Sequence, residues 1–447
     1  MVRLLYLLHR SASVATHWVL LRLTPAGRLA AAGIGVTAAF GINTHINMAH
    51  QAFGFLAAAA VLALIAGRFT RIPVKMRRHV PRYATVGETL SYRLQAINTG
   101  GSPLHDLTVQ ERTTDPRPDW GQFRIPAPGE GTRSFMERWT GFYRWRRLVR
   151  QNRQATAAPA PMPPLAPYAE NDIVLQVVPA KRGRLDLPGP MVRRPEPLGL
   201  FQTLMASDQY EAVLVLPKLY RLPPSALPGR RQHQPGGVTL AASVGDSEEF
   251  VSLRDYRPGD PRRSIHWKSW AKTGKPIVKE TQEEYFVRHA LVLDTFAANG
   301  SADVFEEAVS LAASIVSVRS SETLLDLMFV GPQAYCFTSG RGLARAGKML
   351  EILAGVSICS DKPFHRLTPL VLGRAGLLSA CICVLQAWDA HRQSLVETLC
   401  QLDIPVTVFV IVAAGDPANL PPGPMKGAPH RFHVLEAGRM QEMLEAL

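Results

Sequence analysis

Arginine, aspartate, histidine, serine and tryptophan crowd into residues 249–285, EFVSLRDYRPGDPRRSIHWKSWAKTGKPIVKETQEEY. Tyr256-Arg257-Pro258-Gly259-Asp260-Pro261 has the composition of a turn, and Ser264 to Lys272 has helical polar and aromatic spacing. Gly274-Lys275-Pro276 is a second turn, leading into the strand Ile277-Val278-Lys279. Two kinds of chemistry are open to such a block. His266 with Asp260 or Asp255 has the make-up of a general base and its orienting carboxylate, and Ser264 and Ser269 are the neighbouring candidate nucleophiles. Alternatively His266 stacks on Trp267 or hydrogen-bonds locally, and Arg254, Asp255, Asp260, Arg262 and Arg263 pair on a solvated surface. The structural role is preferred for His266, and the block as a whole reads as a rigid charged knuckle that holds a geometry.

Other reactive signatures are missing from the sequence. There is no Walker-type loop, since Gly340-Arg341-Gly342 is too small a turn to cradle phosphate, and there is no Gly-x-Ser-x-Gly elbow or His-Glu-x-x-His helix. Cys336, Cys359, Cys381, Cys383 and Cys400 are odd in number and lack zinc-ligand spacing, so neither a disulfide framework nor a zinc site is expected. Cys381 and Cys383 alternate in an apolar run, which as a strand points both to one face as small buried hydrophobes. No cofactor is expected.

The elements that must position the knuckle begin downstream of it. From Val287 onward strand and helix patterns alternate, which predicts a parallel sheet covered by helices over 287–447. Strands are expected at Val287–Asp294, Leu324–Val330, Ala334–Thr338, Ser379–Gln386 and Pro405–Val412. Helices are expected after a capping box at Asp303–Glu306, and at Leu343–Leu353, Ala390–Leu402 and Arg439–Leu447. Upstream, residues 80–218 carry short alternating runs, at Thr89–Ile97, Leu107–Glu111, Asp172–Val178 and Ala212–Leu216, as in a small antiparallel sandwich. Residues 219–286 then form the linker and knuckle. Within the sandwich, the tract at 155–167, ATAAPAPMPPLAP, reads as an inserted, exposed loop unable to join a sheet. Trp139 to Arg147 alternates aromatics with arginines, either as a sandwich strand with snorkelling arginines or as a segment for an anionic headgroup zone.

The net charge of +14 over 447 residues raises nucleic acid as a partner, so its location matters. Met1 to Gly87 has no Asp or Glu and ten Lys and Arg, which account for ten of the fourteen net charges. That distribution fits a membrane anchor, and no nucleic-acid partner is expected. Leu29 to Ile42 (to Met48 if polar residues are tolerated) and Ala52 to Ala66 are apolar, with Asn43, His45, Asn47, His50 and Gln51 between them. A two-helix transmembrane hairpin over 29–67 follows, with residues 1–28 an N-terminal cytoplasmic segment. The arginines flanking the pair put both chain ends in the cytoplasm, and the protein in the inner membrane as a multi-pass protein. A soluble helical hairpin and a cleaved signal peptide fit this charge pattern less well.

The knuckle resembles the signature of the bacterial family called "domain of unknown function 58". The matching residues are Arg254, Tyr256, Gly259, Asp260, Arg262, Arg263, Ile265, His266, Trp267, Ala271 and Lys272. A second family-like string runs from Lys181-Arg182-Gly183-Arg184 through Gly189-Pro190 to Pro197-Leu198-Gly199-Leu200-Phe201, with Glu196 in the acidic place before it. The resemblance implies a von Willebrand factor A-like C-terminal domain and a MoxR-type AAA+ ATPase as partner. It also implies an adaptor or scaffold role in the assembly or maturation of other proteins. Such domains often bind a divalent cation through Asp-x-Ser-x-Ser. Here the loop reads Asp294-Thr295-Phe296-Ala297-Ala298, so two hydroxyl ligands are lost. Thr295, Ser301 and the distant Asp389 are the remaining candidates, and Asp294 is expected to bond neighbouring amides rather than a metal. A hydrolase-like enzyme centred on 254–272 and cation-dependent ligand binding at Asp294 are the rival readings.

Overall fold

The computed structural model describes residues 2–41, 47–127, 129–223, 248–258, 260, 265–283, 288–296, 302–319, 324–339, 343–415 and 420–447. Gly259, Arg262, Arg263 and Ser264 of the knuckle, and Ala297, Ala298 and Ser301 after Asp294, lie outside them. The chain divides into two compact units, Met1–Lys218 and Leu219–Leu447.

The first unit opens with three helices, α1 (Val2–Arg22), α2 (Pro25–Gly41) and α3 (Asn47–Phe69). Pro25 has no N–H to donate to the preceding turn, which ends α1 and is tolerated where α2 starts. Gly33 of α2 faces α3 so closely that a Cβ there would stand 3.1 Å from Leu56 Cδ1. Met48–Phe69 is 22 residues long with a mean hydropathy of 2.0, long and apolar enough to cross a bilayer. The 17 residues of α2 rise about 26 Å, short of a hydrocarbon layer of about 30 Å. The segment before residue 28, expected only as a cytoplasmic lead, is largely the helix α1.

The sheet-rich part of the unit, expected as an antiparallel sandwich but containing a parallel β2–β11 pair, is built from β1 (Val74–Arg78), β2 (Tyr83–Thr85), β3 (Leu90–Asn98) and β4 (Thr108–Glu111). Helices α4 (Trp120–Arg124), α5 (Phe135–Thr140) and α6 (Phe142–Asn152) follow. It closes with β5 (Ala155–Ala157), β6 (Ala160–Pro161), β7 (Glu170–Pro179), β8 (Gly183–Leu187), β9 (Pro190–Pro195), β10 (Gln202–Ala206) and β11 (Glu211–Leu216). The strands join as β1-β3-β7-β5, β10-β9-β4-β6 and β2-β11-β8. Alternation decides the inside: Ile173, Leu175 and Val177 of β7 are buried while Val174 and Val178 are exposed. Leu94, Val109, Leu175, Leu185, Val192 and Val215 meet in one core. Inside it Arg78 and Glu111 pair at 2.5 Å, and the Tyr92 hydroxyl donates to the same carboxylate at 2.6 Å.

Two expectations fail in this unit. The tract 155–167 is not an exposed loop, because β5 pairs with β7 and β6 with β4, and Ala155, Ala157, Met162 and Leu165 are buried. Both strands are edges, where a proline's missing N–H can face away from the ladder. Trp139 to Arg147 is helical, not a strand. Gly141, at φ 67°, separates α5 from α6, and Trp145 is buried against Tyr6 and Phe123 while Arg144 pairs with Glu130 at 2.7 Å. The aromatic-arginine alternation imitates a period of two, whereas Trp145, Leu148 and Val149 turn to the core at helical spacing.

The second unit contains β12 (Glu248–Asp255), α7 (Trp267–Thr273), β13 (Ile277–Glu283), β14 (Arg288–Leu293), α8 (Ala302–Arg319), β15 (Leu324–Val330) and β16 (Ala334–Ser339). It continues with α9 (Leu343–Gly355), α10 (Leu367–Leu372), β17 (Ala380–Leu385), α11 (Ala390–Gln401), β18 (Val406–Val412), β19 (Phe432–Glu436) and α12 (Met440–Glu445). Six strands form one sheet in the order β16-β15-β14-β17-β18-β19. Leu291 and Leu293 bury into a core on one face, with Val309, Ala312, Ile315 and Val316 of α8, and Ala290 and Val292 into a core on the other with α10 and α11. Cys381 and Cys383 share that second core with their sulfurs 3.8 Å apart.

The sheet is not wholly parallel. β16 runs antiparallel to β15 because the three residues between them allow a hairpin but no crossover. Asp303, expected as a cap, lies inside the first turn of α8, where its charge still favours the helix N-terminus.

Candidate functional site

β12 and β13 form an antiparallel ribbon in which Arg254 faces Val278 and Asp255 faces Ile277. The segment between them folds back on the ribbon: Tyr256 N–H donates to Pro276 O at 2.9 Å, and His266 N–H to Ile277 O at 2.8 Å. Arg254 closes the turn with a two-pronged grip on Asp260, Nη1 to Oδ2 at 2.8 Å and Nη2 to Oδ1 at 2.7 Å. Asp260 also accepts from the Arg257 N–H at 2.8 Å and returns its own N–H to Arg257 O at 3.0 Å. The Arg254 hydrogen bonds, followed by that of Arg257, hold the Asp260 carboxyl down at a pKa of about 2.

α7 stands on this base. It starts after His266 and stops at Gly274, whose positive φ of 70° lets its N–H reach Trp270 O at 2.9 Å. Trp267 and Trp270, three residues apart, stack at 5.3 Å and 19°, and Trp267 is 65% exposed. Lys272 in the last turn complements the helix dipole. His266 Nδ1 meets Ser269 Oγ at 2.6 Å, a local hydrogen bond of the kind expected for it. Of the two carboxylates expected to orient His266, Asp260 is engaged by Arg254, and Asp255 is the other. The structure therefore brings together Arg254, Tyr256, Asp260, His266, Trp267 and Lys272.

At the carboxyl ends of β14 and β17 a second polar cluster is buried. Asp294, with no exposed surface, accepts from the Phe296 N–H at 3.1 Å, the Gln386 N–H at 3.0 Å and Arg392 Nε at 2.7 Å. Arg392 also pairs with Asp389 at 2.5 Å and lies over the Phe364 ring at 4.7 Å. Burial pushes the Asp294 carboxyl up, and the guanidinium and the amides oppose that. These residues do not fit a divalent cation. Both carboxylate oxygens face N–H donors, a guanidinium takes the place of the positive charge, and the described residues contain no group of three or more acidic, His or Cys ligands. Asp389, named as a distant metal partner, does come near Asp294, but through Arg392. Arg392 was missed, although Asp389-x-x-Arg392 at the start of α11 is an i,i+3 pair that sequence could reveal.

Glu196 and the string after it serve the first unit. Its carboxylate accepts from the N–H groups of Leu198, Leu200 and Phe201 at 2.5, 2.6 and 3.2 Å. The loop so formed offers Leu200 O to the Thr24 N–H at 3.1 Å, at the joint between α1 and α2.

A curated relative, "Uncharacterized protein YeaD" of Bacillus subtilis, is 27% identical over 192 residues, 42% of this chain and 46% of its own length. The chain thus spans about half of that relative. Among solved structures, the crystal structure of a CARDB domain from Pyrococcus furiosus with di-metal ions aligns at 9% identity. It covers 33% of this chain and 97% of that one at a TM-score of 0.17. A solution structure of the same domain aligns at 10% identity over 32% and 94%, with a TM-score of 0.15. Neither likeness supports a fold assignment. The family described as "Protein of unknown function DUF58" matches residues 252–369, a span that takes in the knuckle and Asp294.

Proposed function

We propose that this protein is a membrane-anchored adaptor. In this reading α3 crosses the cytoplasmic membrane and the shorter α2 enters it alongside as the other arm of a hairpin, the two folded units face the cytoplasm, and the knuckle together with the α/β rim receives another protein. A MoxR-type AAA+ ATPase is the proposed partner, hydrolysing ATP for the assembly or maturation of further proteins. One observation carries the reading: a stacked tryptophan pair is displayed at the surface on a hairpin fixed by the Arg254–Asp260 grip. Tryptophan and arginine on a rigid base are the side chains that dominate protein interfaces, and exposing Trp267 does nothing for the core.

Anchoring is supported by where the hairpin ends attach. Thr24 bonds Leu200, Gly67 O accepts from Thr203 Oγ1 at 3.2 Å, and Arg71 O accepts from Arg194 at 3.0 Å, so α2 begins and α3 ends on the same β9–β10 edge. Arg22, Arg28, Arg68 and Arg71 near those ends favour the cytoplasmic side. For the α/β unit, an order of 3-2-1-4-5-6 counted from β14, with the third strand antiparallel, supports a von Willebrand factor A-like reading.

Affinity purification of the detergent-solubilised chain from its host tests this. An ATPase that co-purifies with the native chain and is lost from a folded Asp260→Arg variant supports the adaptor; unchanged recovery of every partner counts against it. The 2.6 Å contact of His266 with Ser269 favours a hydrolase-like second reading, in which His266 accepts the serine proton. Covalent labelling of Ser269 by a fluorophosphonate, abolished in His266→Ala, would move the conclusion to that reading.

A further inference from the structure

α1 leaves an apolar stripe uncovered. Leu4, Leu7, Leu8, Val14 and Trp18 lie along one face of Val2–Arg22, interrupted by Ser11, and are all exposed, Trp18 to 53%. The opposite side of the helix is engaged with the protein. Tyr6 packs on Phe123 and Trp145, His9 Nε2 meets Thr140 O at 2.9 Å, and Ser13 Oγ accepts from Arg117 at 3.1 Å. The turn that His9 holds carries a second exposed apolar group, with Phe135 71%, Trp139 54% and Phe142 46% exposed.

The charge around both groups is mostly positive, with Arg144 offset by its pairing with Glu130. α1 has no acidic residue and carries Arg3, Arg10 and Arg22, and α5 and α6 set Glu137 against Arg138, Arg144, Arg146, Arg147 and Arg150. Long aliphatic side chains bordered by arginines suit acyl chains below phosphate headgroups, and the stripe runs directly into the joint with α2.

We propose that α1 lies in the plane of an anionic bilayer surface, with its stripe at the boundary between headgroups and acyl chains and the α5–α6 turn resting on the same leaflet. This contact rests on the reading of α2–α3 as the membrane hairpin, whose joint at Thr24–Pro25 turns the chain from the surface into the bilayer. Arg3, Arg138 and Arg146, all exposed, then meet lipid phosphates.

The test places the photo-crosslinker p-benzoylphenylalanine singly at Leu8, Phe135 or Leu62 in the full chain. Each protein is reconstituted in vesicles of phosphatidylcholine with or without phosphatidylglycerol. Phospholipid adducts are expected from all three positions. Those from Leu8 and Phe135 should rise several-fold with phosphatidylglycerol and fall again in Arg3→Glu, Arg138→Glu, while those from Leu62 stay unchanged. Lipid adducts at Leu62 alone would overturn the surface contact and leave the anchor standing. Adducts at Leu8 or Phe135 to a second copy or another protein, or no dependence on phosphatidylglycerol, would overturn it too. Adducts at Leu8 and Phe135 without Leu62 would instead contradict the spanning hairpin.

Discussion

Arg254 and Asp260 grip each other through two parallel hydrogen bonds across the turn that separates β12 from α7, at 2.8 and 2.7 Å. Because both ends of each group are used, the pair fixes the base on which Trp267 and Trp270 stand. A carboxyl whose folded pKa is about 2 contributes stability above its unfolded value, near 4, and loses it as the pH falls toward 2. The Asp260→Asn variant should therefore show less hydrogen-exchange protection of the Tyr256 and His266 amides than the native chain, by a constant margin from about pH 5 to 7. That margin should shrink between about pH 4 and pH 2. A margin independent of pH down to 2 would mean that the ionised pair is not what closes the turn.

Gly27 sits under the Pro-Leu-Gly-Leu-Phe loop, where a Cβ would stand 1.9 Å from Leu200 O. The obstacle is backbone, so it cannot swing aside. Gly27→Ala should break the Thr24–Leu200 joint and detach the start of α2 from the sandwich, seen as new trypsin cleavage at Arg22 or Arg28 in the solubilised chain. A cleavage pattern identical to the native one would contradict the joint.

Glu196 is buried and caps three amides of that loop. Glu196→Ala leaves them without their acceptor, at a cost of about 2–3 kcal/mol or more for charge-assisted bonds. Chemical denaturation of the variant should show a loss of this size in the transition of the first unit. A change under about 0.5 kcal/mol, the range of an ordinary surface substitution, would contradict the capping role.

Arg392 is the buried positive charge that Asp294 faces. Removing it as Arg392→Leu strands a buried carboxylate and should cost about 3–5 kcal/mol, with part of the loss recovered in the double variant Asp294→Asn, Arg392→Leu. In the native protein, calorimetric titration with Mg²⁺, Mn²⁺ or Ca²⁺ should show no binding that depends on Asp294. An isotherm abolished by Asp294→Ala would contradict the guanidinium's place there.

Much of the α/β unit was legible because its strands are continuous apolar runs and α8 repeats its core residues at helical spacing, signals that local sequence carries by itself. Helix α1 was overlooked, since its apolar stripe faces outward and is interrupted by Ser11. The 139–147 segment read as extended because alternating aromatics and arginines hide the single buried ring, Trp145. The Pro-Ala tract was refused a place in the sheets, yet edge strands tolerate proline. In the candidate sites, the knuckle's turns and helix followed from its glycines and prolines. The Arg254–Asp260 grip and the Arg392–Asp294 pair depend on long-range or turn geometry, which residue types alone leave undetermined. Neither the close approach of Gly27 to Leu200 nor the His266–Ser269 contact had a local signal strong enough to choose it over its alternatives.

Crosslinking in cells from p-benzoylphenylalanine at position 267 tests most directly whether the knuckle meets another protein. The account predicts one discrete heavier adduct, containing a different polypeptide, that disappears when Asp260→Arg is added to a chain still present in the membrane fraction at native level. No protein adduct from position 267, or an adduct untouched by Asp260→Arg, would contradict it.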